Sequence, residues 1–529
     1  MTARKRQHTV ISIAIGLLTL VGGGGYFVAH AHATGAEALQ PTAVVALPGA
    51  TQATETAATS AQTLLGSRRT VAKGLVDPSL PTMTPDQQAA ELSEIQLELG
   101  AGYVRIVVSW AQAQPTDPTV SPYTAFNPDS PYMTAVRSAV TQAHADNLKV
   151  MITFWQVPRW ASDRSHWQKK VGYAPGDVMA KTHLVDFQHF CQDVATELKG
   201  QVYAYECWNE PNLYLFLFPQ RTTSDKRFGA HFYVKMLHSF SLGIRAGDPG
   251  VAGDPTQPAP LRVAGATAPR GSAGVSPYST SPQHFAAAIK ATKGATSYFD
   301  AYSHHPYMPG ASPRLYPEAA PGTPATTVTL ENLGTLLKIF PKKPFFLTEY
   351  GYQTAACQAF TGQHVSQITQ ATYLRRAYAY VARYPQVKLM LWYLMQDSRP
   401  AGGTAAQGFY TGLKTLAGTP KRAWYVFAGG NRLTLAAPAS ITRGATLTLS
   451  GQLSCASIGG VAGMPLAVQR RLPGKKWSTL TTATTLAADS ATQSLPGLYT
   501  VVLHPKLSAY YRVSFLGVVT SGSLRVAVN

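Results

Sequence analysis

The sequence predicts an α/β protein: an eight-stranded parallel (β/α)8 TIM barrel over residues 68–428, followed by a small all-β sandwich over residues 431–529. Three observations carry this. From Arg69 onward, short apolar runs rich in β-branched and aromatic residues alternate with helical periods, eight times over. Two of those runs end in a glutamate followed within two residues by a Pro or Gly turn, at Glu210 and at Glu349. After Asn431 the helical period disappears, and alternating apolar residues broken by Gly and Pro take over.

In chain order, Met1–Ala33 reads as a targeting segment. Arg4-Lys-Arg6 is a basic start, Thr9–Val21 is an apolar run of signal length, and Ala29-His-Ala-His-Ala33 offers small-x-small cleavage sites. Residues 9–29 are also just long enough to span a bilayer. The expectation is a secreted or envelope-associated protein, with its leader either cleaved or kept as an anchor. Thr34–Ser67, rich in Ala and Thr, reads as a linker.

Barrel strands are expected at Val71–Val76, Tyr103–Trp110, Leu148–Trp155, around Tyr203–Cys207, and at Arg262–Thr267, Phe299–Tyr307, Phe345–Gly351 and Val387–Leu394. Helices are expected at Pro85–Leu99, Tyr132–Ala145, Lys181–Leu198, Phe228–Ala246, Pro282–Thr292, Thr329–Phe340, Val365–Tyr384 and Lys421–Phe427. The first of these shows its stripe at Ala89, Leu92, Ile95 and Leu99, and Gly100 closes it. The fourth strand must stop before Pro211, which cannot continue a ladder.

The formal net charge is +19 over 529 residues. It is spread along the chain, without the Lys/Arg block of a nucleic-acid tail, so nucleic acid is not an expected partner. The basic hairpin Arg470-Arg471 with Lys475-Lys476 sits in a module nearly free of acids. That module reads either as a surface for an anionic cell-wall polymer or as a passive spacer. Four cysteines are too few for a disulfide scaffold; Cys191 and Cys207 are expected near one another and read as buried thiols, with a disulfide between them as the alternative. No cofactor fingerprint, serine elbow or metal-ligand spacing stands out, so neither cofactor nor metal is expected; His304-His305 lacks a partner cluster in sequence. The chain is expected to act as a monomer.

Two carboxylates, each at the end of a buried strand, are what glycosidic bond cleavage requires. The motifs around them, Trp208-Asn-Glu-Pro-Asn212 and Thr348-Glu-Tyr-Gly351, together with Ala246-Gly-Asp-Pro249 and His305-Pro-Tyr307, resemble the clan A glycoside hydrolases. The likeness is to family 39 and family 5 cellulase- or xylosidase-like proteins, over roughly residues 70 to 428. The C-terminal module resembles an immunoglobulin-like domain.

The resemblance implies a retaining hydrolase of a β-linked oligo- or polysaccharide, with Glu210 as acid/base and Glu349 as nucleophile. It implies Arg105 and Tyr307 beside the nucleophile, Asn209 on the sugar 2-hydroxyl, His305 as the sixth-strand histidine with His304 competing, and Trp392 as the platform under the scissile sugar. Trp155, Trp160, Tyr350 and Tyr352 are candidate cleft rings. Trp208 and Tyr205 are candidates for an apolar wall raising the Glu210 pKa. Glu206 is the alternative acid, discounted because it lies short of the strand's end. The rival from another class is a non-catalytic barrel that binds envelope glycan.

Overall fold

The computed structural model describes residues 70–117, 126–167, 172–174, 176–273, 276–309, 315–357, 364–399, 404, 408–455, 459–489, 494–517 and 519–529. The expected leader and the expected linker lie outside these residues. No helix among the described residues is long and apolar enough to cross a membrane.

Eight parallel strands close into a barrel in the order β1 through β8. They are β1 (Ala72–Val76), β2 (Tyr103–Ser109), β3 (Lys149–Trp155), β4 (Val202–Cys207), β5 (Leu261–Thr267), β6 (Ala301–His304), β7 (Phe345–Tyr350) and β8 (Val387–Tyr393). Strand β8 pairs back with β1, with Leu389 opposite Ala72 and Tyr393 opposite Val76. The expected sandwich is also present as two sheets. One contains β11 (Leu447–Cys455) with its neighbours β9 (Asn431–Leu433), β12 (Gly459–Gly460) and β15 (Leu498–Leu503). The other runs β10 (Ser440–Ile441), β18 (Leu524–Val528), β16 (Ala509–Phe515), β13 (Pro465–Arg471), β14 (Ser478–Thr484), with β17 (Val519–Thr520) on β16. Leu447, Leu449 and Leu453 of the first sheet and Leu466, Val468, Val513 and Phe515 of the second are all buried.

Helix starts follow local chemistry. Thr84, Ser130 and Ser281 each stand before a proline at the first helical position, and each accepts a backbone N–H from the first turn. Two expected helices differ. Pro85–Ser93 is α-helical but continues into a wider turn at Glu94–Glu98, where Leu99 N–H reaches back to the Glu94 carbonyl at 3.1 Å. The expected helix Thr329–Phe340 shrinks to Gly334–Leu337. Asn332 ties its side chain to Thr329 N–H and to the Thr327 carbonyl, which holds a turn where the helix would begin.

The strands stack their inward side chains in layers. Because alternate residues face the same side, Tyr103, Met151, Ala204 and Phe346 form part of an apolar plug, joined by Val76, Val263, Ala301 and Leu391. Two residues further along the same strands come Arg105, Thr153, Glu206 and Thr348, all fully buried. Strand alternation thus places a polar layer directly beneath the strands' C-terminal rim. The backbone at that rim is tight. Gln156, Trp208, Glu210, Ala266 and Leu394 all have positive φ, at 67°, 70°, 39°, 44° and 78°. Non-glycine residues held there cluster where strain serves a site.

Candidate active site

Glu210 and Glu349 face each other across this rim. A carboxylate oxygen of each, with one ring nitrogen of His305, lies within 4.8 Å of the other two. Both glutamates keep some access to solvent, with 13% and 12% of side-chain surface exposed, whereas Arg105, Glu206 and His305 have none. Glu210 is held in place by its own N–H, donated to the Ala266 carbonyl at 3.0 Å across to β5.

Arg105 sits at the centre of the polar layer. It donates to Glu349 Oε1 at 2.7 Å, to Asn209 Oδ1 at 3.0 Å, to Thr153 Oγ1 at 2.7 Å and to Glu206 Oε2 at 2.7 Å. Tyr307 donates its hydroxyl to Glu349 Oε2 at 3.1 Å. Glu349 therefore has a guanidinium on one oxygen and a phenol on the other. Asn209 has its carbonyl oxygen taken by Arg105, so what its amide can offer a ligand is N–H.

The proton on Glu210 follows from hydrogen-bond accounting. Glu206, paired with Arg105, receives the Thr153 hydroxyl at 2.7 Å and the Thr348 hydroxyl at 2.9 Å. A hydroxyl has one proton to give, so Thr348 Oγ1 must accept from His305 Nε2, 3.2 Å away. Burial and the Arg105 charge push the His305 pKa well down, so the ring is neutral. With its one N–H on Nε2, its Nδ1 is an acceptor. That nitrogen lies 3.0 Å from Glu210 Oε1, so Glu210 is the donor and carries a carboxylic proton.

Electrostatics agree. Burial, then the Glu349 charge, raise the Glu210 pKa well above the usual range. Burial also pushes Glu349 up, but the Arg105 charge and hydrogen bonds from Arg105 and Tyr307 pull it back. Of the two, Glu349 is the better carboxylate and Glu210 the better acid.

Several expected residues fall elsewhere. Trp392 is not a platform. It is wholly buried, faces the helices rather than the barrel interior, and donates its indole N–H to the Thr411 carbonyl at 2.8 Å. Tyr393 is the inward residue at that point, its ring 6.4 Å from that of Tyr307. Tyr350 is buried, with its hydroxyl on Tyr352 at 2.8 Å, and does not line an open cleft. Trp155 sits at the end of β3 but is largely covered by Phe216, ring to ring at 5.1 Å. Trp208 packs on Phe187 and Tyr205 stacks on Phe154, both on the helix side, so neither walls Glu210.

His304 is structural, between Thr267 Oγ1 at 2.8 Å and the Val328 carbonyl at 3.1 Å, which leaves His305 for the carboxylates. Cys191 and Cys207 are buried free thiols.

One expected absence needs correcting. His305 does have partners at ligand distance, Glu210 and Glu349, which linear spacing hid because His305 and Glu210 follow β6 and β4 and Glu349 lies on β7. These atoms are engaged with one another and with Tyr307 and Arg105. The Arg105 cation alongside disfavours a second cation there. Residues not singled out beforehand are Thr153, Thr348 as a hydrogen-bond link, and Tyr393. Their signal was the two-residue period of each strand.

No protein-family model matches this sequence, and no curated protein matches it. Solved structures with a similar barrel include a family 5 subfamily 18 glycoside hydrolase variant from Streptomyces cattleya in complex with Manβ1-4GlcNAc. It is 14% identical, with a TM-score of 0.48, covering 68% of this chain and 79% of that one. They also include a family 30 endoxylanase from Clostridium papyrosolvens, 10% identical at a TM-score of 0.41, covering 84% of this chain and 96% of that one. A family 113 β-1,4-mannanase is 12% identical at a TM-score of 0.38, covering 68% of this chain and 98% of that one. Likeness at this level carries no assignment of activity.

Proposed function

We propose that this protein is a retaining glycoside hydrolase acting on a β-linked glycan by double displacement. The observation that carries the reading is the pair of facing carboxyls in unlike surroundings, with oxygens within 4.8 Å. A nearest-oxygen approach of this kind fits the separation of about 5–5.5 Å between carboxyl groups in retaining enzymes better than the ~6.5–9.5 Å that leaves room for water in inverting ones.

In this reading Glu349, oriented by Arg105 and Tyr307, attacks the anomeric carbon and forms a glycosyl-enzyme. Glu210 gives its proton to the leaving oxygen and then takes one from the incoming water. Asn209 offers N–H to the sugar hydroxyl next to the reacting carbon. The β-linkage and a secreted or envelope location rest on the sequence motifs and the leader, and an immunoglobulin-like accessory role for the β module rests on its resemblance.

The test is a set of variants assayed on aryl β-glycosides. Glu349→Gln should abolish turnover, and a 2-fluoro glycosyl fluoride should label the wild-type protein at Glu349. Glu210→Gln should cost about 10²–10⁴-fold, most with poor leaving groups. Turnover intact in Glu349→Gln would sink the assignment. Failure to hydrolyse any glycoside, with glycan binding intact, would leave a non-catalytic binding barrel.

A further inference from the structure

The β module carries nine Lys and Arg against one acidic residue, Asp489, and part of that charge is laid out in order on one sheet face. In the pairing of β13, β16 and β18, Arg471 lies opposite Tyr510 and Tyr510 opposite Arg525. Directly opposed residues share a face, so the three form a row across adjacent strands. Gln469, opposite Arg512, lies two residues along β13 on the same face. The other face carries Leu466, Val468, Val513 and Phe515, all buried in the core.

Rings hold Arg471 and Arg512 in place. The Arg471 guanidinium lies over the Trp477 ring at 5.1 Å and the Tyr510 ring at 5.0 Å, and Arg512 lies over Trp477 at 4.3 Å. Gln469 Oε1 accepts from Arg512 Nε at 2.8 Å. Among the described residues, none of Arg471, Arg512 and Arg525 forms an ion pair. Stacking uses the guanidinium face and leaves N–H groups at its edge, those of Arg471 and the two terminal Nη groups of Arg512, whose Nε is taken by Gln469; such an edge fits a carboxylate or phosphate two-pronged. Trp477 and Tyr510 are only half-buried and supply apolar ring surface between the charges.

We propose that this face binds an anionic polysaccharide, with Arg471, Arg512 and Arg525 on its repeated carboxylate or phosphodiester groups and Trp477 and Tyr510 against its sugar rings. The choice of a glycan over a lipid surface or nucleic acid rests on the glycan-hydrolase reading of the barrel on the same chain. The module would then hold the barrel at high local concentration along its substrate's matrix. Strand alternation also separates the two arginines that sequence joins. Arg470 lies opposite Tyr511 on the inner side, and only Arg471 joins the row. Lys475 and Lys476 stand exposed in the turn, outside it.

Co-sedimentation of the full chain with immobilised polygalacturonate and with a poly(glycerol phosphate) glycan tests this, at about 0.15 M salt where diffuse attraction is screened. R471Q/R512Q and K475Q/K476Q remove the same charge. The first should weaken binding at least about 10-fold and the second less than about 2-fold, since only the first removes stacked, fork-shaped donors. R471K/R512K keeps charge and fold while losing the planar donors, and should also bind several-fold more weakly. Equal loss in both glutamine variants would overturn the proposal. So would equal binding to neutral xylan, phosphatidylglycerol vesicles or duplex DNA, or no binding at all. The readout needs no turnover, so its failure is separate from failure of Glu349 labelling, which bears on the hydrolase reading alone.

Discussion

Glu206 is sealed from solvent and cannot touch a substrate, yet in this geometry it sets the proton state of the site. It acts through Thr348 and His305, each link having one proton to pass in one direction. Glu206→Gln reverses that direction. The introduced amide can donate to Thr348, which then donates to His305 Nε2, moving the ring proton to Nδ1. His305 would then donate to Glu210 and favour its ionised form. The alkaline limb of the kcat/KM profile should move down by about one pH unit, and poor leaving groups should suffer about 10–100-fold while activated aryl glycosides lose less. A profile of unchanged shape, merely scaled down, would mean that Glu206 only supports the fold. Thr348→Val breaks the same chain without touching the Arg105 ion pair and should give the same shift.

At the scale of strands and helices, the sequence made most of the barrel legible. Apolar runs ended where Pro and Gly had to end them, and Ser-Pro and Thr-Pro pairs marked helix starts. What it did not reveal was the side of the strand on which a residue faces once a register slips. Along β8 an error of one residue exchanges a buried Trp392 for an inward Tyr393, because successive side chains point to opposite faces. On β7 the pairing slips between Leu347 and Tyr350, the point where Glu349 turns toward Arg105. Glu206 was legible as a carboxylate near the site but not as Arg105's partner, since that pairing joins β2 to β4 across the barrel interior.

Helix packing behind β4 offers a test of the scaffold alone. The helix Phe228–Gly247 meets the helix Leu184–Glu197 at Gly243, where an added Cβ would lie 2.3 Å from the Gln188 carbonyl oxygen and 2.8 Å from Cys191 Cβ. Gly243→Ala therefore forces two backbones apart. It should cost about 1–3 kcal/mol of stability by denaturant titration, with kcat/KM unchanged at a temperature where the variant is folded. A neutral result would mean the two helices separate freely.

For the whole molecule, buried acids dictate how stability depends on pH. Burial, then the charge of neighbouring Asp77, raise the Glu91 pKa to about 10, with Glu94 adding to this and Lys414 opposing it. Glu210 is raised as well. In the unfolded chain both ionise near 4.3. Above that pH the folded state holds protons that the unfolded state has lost, so stability declines as pH rises toward the folded values. Other groups bound the useful window. Buried His304 and His305 are neutral when folded and would gain protons on unfolding below about 6.5, the reverse effect. Lys73, lowered to about 8 by burial, sheds its proton in the folded chain near that pH and again opposes the acids. Between pH 6.5 and 7.5 the acids act with least opposition. Calorimetry should find Tm falling across this interval, by roughly 1–2 °C from Glu91 alone at ~1.4 kcal/mol per pH unit in a chain of this size. Glu91→Gln should raise Tm at pH 7.5 and reduce the slope, and adding Glu210→Gln should reduce it further. A wild-type Tm that rises with pH over the interval, or a Glu91→Gln slope equal to wild type, would mean that the proton is not held at the Asp77–Glu91 pair.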